Sequence, residues 1–248
     1  MIYLNTQKDT YVTSLSNLRS SLSIGFTTKK VGDCRKISVI QDYFKYYNLH
    51  NNKLVLLEQI HSANITNTNQ HNNSKIEQLE ESDGVISLEK NVILVVRVAD
   101  CLPVIYFSLK TGCIGAAHIG WRGTLKNLMG KMIEIIKNIG SESNDIYIII
   151  GPAINQCCYE IDVDAYGEFM SVMERYSKVA FKPHGQKFRL NLERLNYELA
   201  LESGIDKTHI DYFPFCTSCN SDHFFSYRRD YKKNPELFGE MMGYITVQ

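Results

Sequence analysis

The sequence predicts a single α+β domain, mixed β-sheets flanked by helices, over residues 1–248. Three observations predict it. Short, almost continuous apolar runs at residues 92–98, 104–107 and 147–150 have strand length and no polar alternation, as strands buried on both faces do. Longer segments between such runs carry a 3.6-residue apolar stripe. The two kinds of segment mix without a strict strand–helix–strand alternation, which favours α+β over a doubly wound parallel sheet.

In order, residues 1–33 read as short strands and turns. Ile37, Ile40, Phe44 and Tyr47 fall on one side of a helix over residues 37–47. A strand over residues 54–57 leads to His61. Residues 66–82, rich in Asn, Gln and Glu, have the composition of a surface insertion. Apolar segments resume at Val85 and continue through the strands at 92–98 and 104–107. After His118 the period changes: Leu125, Leu128, Met129, Met132, Ile133, Ile136 and Ile139 form one helical stripe, stopped by Gly140. The strand at 147–150 runs into the turn Gly151-Pro152-Ala153-Ile154. Helices are predicted over 164–176 and 192–203, the second ended by Gly204, then a strand over 210–213. An aromatic strand at 224–227 runs into Arg228-Arg229-Asp230. No internal repeat is present.

The 248 residues, 44% of them apolar, suffice for one sizeable core. The 27 basic and 27 acidic residues cancel, so the chain lacks the basic footprint that a nucleic-acid partner requires. The longest purely apolar runs are about five residues, against the ~20 of a spanning helix, so no membrane partner is expected. Met1-Ile2-Tyr3-Leu4-Asn5 has no basic region before an apolar stretch, so no signal peptide is expected. Seven irregularly spaced cysteines read as reduced thiols, which predicts a cytoplasmic location.

The chemistry concentrates at strand ends. His61, in Gln59-Ile60-His61-Ser62, closes one apolar run; Cys101, in Ala99-Asp100-Cys101-Leu102-Pro103, closes another. His118 closes a third and opens His118-Ile119-Gly120-Trp121-Arg122-Gly123. Strand ends beside tight turns are where scaffolds place reactive groups. Imidazole nitrogen and thiolate sulfur are zinc ligands, and three of them leave an open coordination position, as catalytic sites do. The same residues admit a metal-free reading, with Cys101 a nucleophile activated by His118 and oriented by Asp100 or His61. The bland alternative is a buried cysteine with two satisfied histidines. Trp121 offers a flat face to a base or sugar, or anchors the core. Arg122, at a helix start, suits an anion, and Arg228-Arg229 is either an anion-binding pair or a surface charge run. Cys216-Thr217-Ser218-Cys219 with His223 lacks the further ligands of a zinc knuckle, and Cys157-Cys158 reads as structural or pocket-lining thiols.

Taken with Gly151-Pro152-Ala153-Ile154, Cys157-Cys158-Tyr159-Glu160 and Phe225-Ser226-Tyr227-Arg228-Arg229-Asp230, these motifs resemble the YfiH/laccase-domain-containing family, in order and over nearly the whole chain. Its members were once labelled multicopper polyphenol oxidases and are mostly described as zinc-binding purine nucleoside phosphorylases that also deaminate adenosine. The resemblance implies one zinc ion per chain on His61, Cys101 and His118. It implies a fold similar to the cysteine-hydrolase domain of some bacterial deamidating toxins. The implied partners are phosphate and a purine nucleoside of the adenosine, inosine, guanosine or methylthioadenosine class. Asp100 or Glu160 would then shuttle protons, and Lys29, Arg122, Arg228 or Arg229 would hold phosphate. Two segments depart from the family: Ile24-Gly25-Phe26-Thr27-Thr28-Lys29 stands where a His-Gly-Phe-Ser-Thr-Arg type segment is common. Residues 231–240 lack the Thr-Gly-Arg that often follows Arg-Arg-Asp. Some relatives are described as peptidoglycan editing factors, so an amidase acting on a muramyl nucleotide is the alternative enzyme. Copper is disfavoured, because oxygen-reducing multicopper centres need a cluster of histidines and this chain has seven, scattered.

Overall fold

The continuous apolar runs form strands buried on both faces because two large sheets pack against each other and helices cover their outer sides. The structure is a computed structural model and describes residues 2–7, 9–18, 21–68, 74–231 and 233–248. Strands β1 (Ile2–Asn5), β2 (Thr10–Thr13) and β3 (Leu22–Thr27) form a meander, followed by helix α1 (Ile37–Tyr46). Next come β4 (Lys53–Leu57), β5 (Ile65–Asn67), β6 (Ile76–Leu79) and β7 (Gly84–Ser87). Strands β8 (Val92–Val98), β9 (Leu102–Ser108) and β10 (Ile114–Ile119) precede helices α2 (Trp121–Leu125) and α3 (Leu128–Asn138). Beyond them lie β11 (Ile146–Ile150), β12 (Glu160–Ile161), α4 (Val163–Met173), α5 (Ser177–Ala180), β13 (Phe181–His184) and β14 (Lys187–Leu190). Helix α6 (Leu192–Glu202), β15 (Ile210–Tyr212) and β16 (Met241–Val247) complete the main elements.

One sheet has the order β1-β2-β3-β16-β8-β4-β6 and the other β15-β11-β9-β10-β7-β5; β12-β14-β13 form a small third sheet. Both large sheets are mixed, as predicted: β4 runs parallel to β6 and β8, while β8 and β16 are antiparallel. The core between them joins Ile24, Phe26, Val55, Leu94 and Val96 to Val85, Ile105, Phe107, Ala116 and Ile149. Outside the first sheet α1 packs Ile40, Tyr43 and Phe44 against Leu54, Leu56, Ile93 and Val95. Outside the second, Met129, Met132, Ile133 and Ile136 of α3 meet Leu195 and Leu199 of α6. Each such side chain contributes roughly 1.5–3 kcal/mol by leaving water, so the core fixes where the strands end. Chemistry hangs on those ends.

Four departures from the sequence reading have local causes. The single stripe over 125–139 is two helices, because Asn127 takes φ +53° and its side chain accepts from Gly130 N at 3.1 Å, capping α3. The 66–82 stretch is more than an insertion: its ends are β5 and β6, the latter paired to β4, while residues 69–73 lie outside the described residues. Residues 224–227 are not a strand; Ser226 N donates to Asp230 Oδ2 at 2.9 Å, closing a π-type turn over Tyr227–Tyr231. The C-terminal β16, wholly buried between β3 and β8, had no predicted counterpart.

Candidate active site and metal centre

The sheet topology brings the three predicted donors together. β4 and β8 run parallel, so the segments leaving both, toward His61 and toward Cys101, exit the same end of the first sheet. Residues 99–101 carry the chain across to β9 in the second sheet. There β10 pairs antiparallel with β9 and sets His118 opposite Pro103, two residues beyond Cys101. The ligand atoms of His61, Cys101 and His118 lie within 4.8 Å of one another. Cys101 Sγ is 3.9 Å from His61 Nε2, and the two imidazole rings meet edge to face with centroids 4.8 Å apart.

A fourth residue organises these three. Asp83 is fully buried, and its Oδ1 accepts from His118 Nδ1 at 2.8 Å and from the His61 amide at 3.1 Å. Its Oδ2 accepts from the Ser62 amide at 2.5 Å and the Ser62 hydroxyl at 2.7 Å. His61 sits at φ +59°, a left-handed conformation that aims successive amides at this one carboxylate. Burial would raise the Asp83 pKa, but the hydrogen bonds from His118 and Ser62 hold it at about 2. With Nδ1 committed to Asp83, Nε2 is the His118 nitrogen left to take a proton or a metal ion, the carboxylate–histidine arrangement that orients metal-binding imidazoles. Burial also works on Cys101 and His118. The His118 and His61 rings nevertheless bring the Cys101 thiol down to about 7, and Cys101 and Asp83 bring His118 up to about 10. Thiolate beside imidazolium is the charge state that a cation in this place would replace.

Gly120 shows how closely the backbone approaches. A Cβ there would stand 3.1 Å from both Cys101 Sγ and His61 Cδ2. The donor set, its mutual spacing and the Asp83 support fit a zinc-type ion, whose ligands at 2.0–2.3 Å stand about 3.3–3.8 Å apart.

The donors open into a cavity of about 600 Å³, within the range of small-molecule sites. Trp121, Tyr159, Tyr227 and Phe238 supply aromatic surface; Gln59, Arg97, Arg122, Arg228 and Glu240 supply polar groups. Arg122 lies over the Trp121 ring, 4.3 Å from its centroid, and Arg228 over Tyr159 at 5.4 Å.

Other predicted residues are placed differently. Asp100 adopts φ +88° and is buried, with both oxygens engaged: Thr217 Oγ1 donates at 2.6 Å, Ser226 Oγ at 2.9 Å and Arg228 N at 2.7 Å. It fastens the 217–228 segment beside Cys101 and also lines the cavity, so its bonds give it a positioning role alongside the proton shuttling expected of it. Glu160 is drawn off by His184 and Lys187, at 3.3 and 3.5 Å, and does not line the cavity. Arg229 spends its guanidinium on Asp230 and on the carbonyls of Thr217, Ser218 and Phe224. Lys29 is likewise absent from the cavity wall, its ammonium donating to Ser221 O. Of the four predicted phosphate ligands the structure therefore brings Arg122 and Arg228 to the cavity. Asp83, Arg97 and Glu240 escaped the sequence reading. Asp83 sits in a Ser-Asp-Gly run that signals only a turn, and Glu240 in the segment that departs from the family pattern. Burial pushes the Glu240 carboxyl above its usual range.

A two-sheet α+β scaffold with a His–Cys–His donor set at one end, facing a small-molecule cavity, is the class that fold and site define. The chain belongs to the family described as multi-copper polyphenol oxidoreductase laccase, matched over residues 20–248. It is similar to purine nucleoside phosphorylase YlmD of Bacillus subtilis (strain 168), 29% identical over 200 residues covering 78% of this chain and 70% of that one. It is also similar to purine nucleoside phosphorylase CA_C1699 of Clostridium acetobutylicum, 27% identical over 243 residues, 95% of this chain and 93% of that one. The fold matches the crystal structure of Bacillus licheniformis hypothetical protein YfiH with TM-score 0.88 and 26% identity, covering 100% of this chain and 99% of that one. It matches that of YlmD from Geobacillus stearothermophilus with TM-score 0.80 and 26% identity, over 92% and 93%. The expected YfiH-like α+β fold is thus the one observed.

Proposed function

We propose that this protein is a zinc-dependent purine nucleoside phosphorylase that also deaminates adenosine, with His61, Cys101 and His118 holding one zinc ion per chain. The observation that carries the reading is the convergence of that donor set with aromatic and guanidinium groups in one cavity, supported by relatives named purine nucleoside phosphorylases. Bound zinc supplies a positive centre that polarises groups brought to it. The chain's own residues do the rest. Trp121, Tyr159 and Phe238 offer flat apolar surface to a purine. Arg122 and Arg228 neutralise phosphate, which a guanidinium grips through two parallel hydrogen bonds. A phosphate oxygen forms the new bond to C1′ of the ribose as the C1′–N9 bond breaks, and the base leaves with the electron pair. Glu240, which lines the cavity and whose burial favours its protonated form, would give that base a proton. In deamination, water replaces the C6 amino group, which leaves as ammonia.

Zinc is preferred to copper because His61 and His118 are the only histidines lining this cavity among the described residues, far from the cluster that oxygen reduction needs. A second reading, a metal-free cysteine hydrolase, is favoured by the two imidazoles beside the Cys101 thiol, its Sγ 3.9 Å from His61 Nε2, which draw its pKa down.

The test is elemental analysis of the purified chain together with chromatography of adenosine, inosine and guanosine incubated in phosphate. Free base and ribose 1-phosphate, or inosine from adenosine, should form with the native chain and not with Cys101→Ala. Zinc without nucleoside turnover would overturn the substrate and favour an amidase acting on a cell-wall precursor. Activity that survives removal of all metal, and is blocked by a thiol reagent at Cys101, would overturn the zinc role.

A further inference from the structure

Cys157-Cys158 and Cys216-x-x-Cys219 are 58 residues apart at their nearest and read from sequence as unrelated. The fold joins them. β11 and β15 run parallel, and the pairing continues past both strands as a bridge between Ala153 and Cys216, with Thr217 N donating to Ala153 O at 2.9 Å. That register lays the turn after Ile154 against the Cys-x-x-Cys turn. All four Sγ atoms lie within 4.8 Å of one another; Cys219 Sγ is 3.5 Å from Cys157 Sγ and 3.3 Å from Cys158 Sγ. Four thiolates around a tetrahedral zinc ion at about 2.3 Å stand about 3.8 Å apart, within the observed range. The Asn155 amide donates to Cys216 Sγ at 3.3 Å, the kind of contact that steadies a metal-bound thiolate. Cys216 is buried, whereas Cys157 and Cys219 are exposed, which gives an ion a route in.

We propose that Cys157, Cys158, Cys216 and Cys219 form a second, four-thiolate zinc site, structural in role and separate from the cavity donors. Loading releases the four thiol protons, and four protein ligands leave no open position for a substrate. The site would pin two turns that build one wall of the cavity. Tyr159 of that wall follows Cys158, and Thr217, within the Cys-x-x-Cys turn, donates to Asp100 Oδ1. Arg229 Nη1 donates to the carbonyls of Thr217 and Ser218 inside the same turn.

The test uses the full chain, stripped of metal, kept reduced and titrated with cobalt(II) alone. In Cys101→Ala the cavity set has no sulfur, so any thiolate-to-cobalt charge-transfer band reports the cysteine cluster. The band should appear, saturate at one equivalent, and vanish when Cys216→Ser and Cys219→Ser are added. Absence of the band in Cys101→Ala, or its survival in the triple variant, would overturn the proposal. Should those variants fail to fold, the pair Cys157→Ser and Cys158→Ser in the otherwise native chain should lose one equivalent of zinc; unchanged zinc would overturn it. None of these readings depends on nucleoside turnover.

Discussion

At the His61, Cys101 and His118 corner, the donors stand on or just beyond the ends of strands, and the buried carboxylate of Asp83 ties two of them together. At the Cys157, Cys158, Cys216 and Cys219 corner, the donors stand on two turns joined by a single backbone bridge. The first corner is held by the inter-sheet core and by charge-assisted hydrogen bonds, which should keep its geometry without an ion. The second is held from outside its donors, by Thr217 on Asp100 and by Arg229 on the carbonyls of Thr217 and Ser218, while the four thiols themselves face one another. A set of three donors facing a cavity keeps a coordination position for chemistry, and a closed set of four does not. Cys101 and Cys219 should therefore fail in different ways when replaced.

The largest effect is expected from Cys101→Ala, which should abolish turnover and release the cavity zinc, while native and variant chains compared free of metal should share nearly the same unfolding midpoint. Steady-state assay of the loaded chains and thermal unfolding of the metal-free ones check both halves. A thermal collapse of the variant would show that the strand-end corner needs the Cys101 side chain to fold. Next is Asp83→Asn. It leaves the amides of Ile60, His61 and Ser62 and the His118 ring without their anionic partner. Loss of such an outer partner costs about 10–100-fold in metal affinity, and weakened buried hydrogen bonds cost about 1–3 kcal/mol. Zinc competition titration and denaturant unfolding measure the two; unchanged affinity would remove Asp83 from the account of the site.

Cys219→Ser reverses the profile. Turnover should stay within about threefold, since Cys219 is not among the described residues lining the cavity and the Thr217 and Arg229 bonds still hold that wall, while zinc should no longer stabilise the chain through the second site. An ion bound only by the folded state contributes about 2.7 kcal/mol at a hundred times its dissociation constant. Unfolding of native and Cys219→Ser chains against free zinc, both in the Cys101→Ala background, isolates that term. Equal zinc dependence would erase the difference between the corners.

The two corners also differed in how far sequence could reach them. His61, Cys101 and His118 were legible because each ends an apolar run, and parallel pairing of β4 with β8 is a simple way to join such ends. The four cysteines were visible only as two pairs, since nothing local predicts that Ala153 and Cys216 pair in register. Asp83 was hidden for a related reason: its partners, at 60–62 and 118, lie about 20 and 35 residues away. Arg228 and Arg229 are adjacent and chemically identical, yet Arg228 lines the cavity with one bond to the Glu160 carbonyl, whereas Arg229 is spent on Asp230 and three carbonyls, a distinction set by the turn over Tyr227–Tyr231. Helix α1 was legible because its apolar period is intact, and the inner strands because their apolar runs are almost unbroken. The break at Asn127 was not, because a left-handed cap interrupts the stripe without altering its composition.

Glu193 belongs to neither corner and calibrates both, since replacing it should change stability but not turnover. It lies in the first turn of α6, where its Oε2 is buried without a hydrogen-bond partner among the described residues. Burial raises its pKa from 4.5 to about 7. A raised carboxyl pKa means that the fold prefers the protonated form. The stability so gained is complete below pH 4.5 and falls as the pH rises through about 7, by up to about 3 kcal/mol at 1.36 kcal/mol per unit. Glu193→Gln, which cannot ionise, should match the native chain near pH 4.5 and exceed its stability at pH 8. The gap should open between those values in denaturant unfolding followed across pH. A constant gap would assign the effect to packing. A native chain more stable at pH 8 would mean that the positive end of α6 outweighs the burial of this charge.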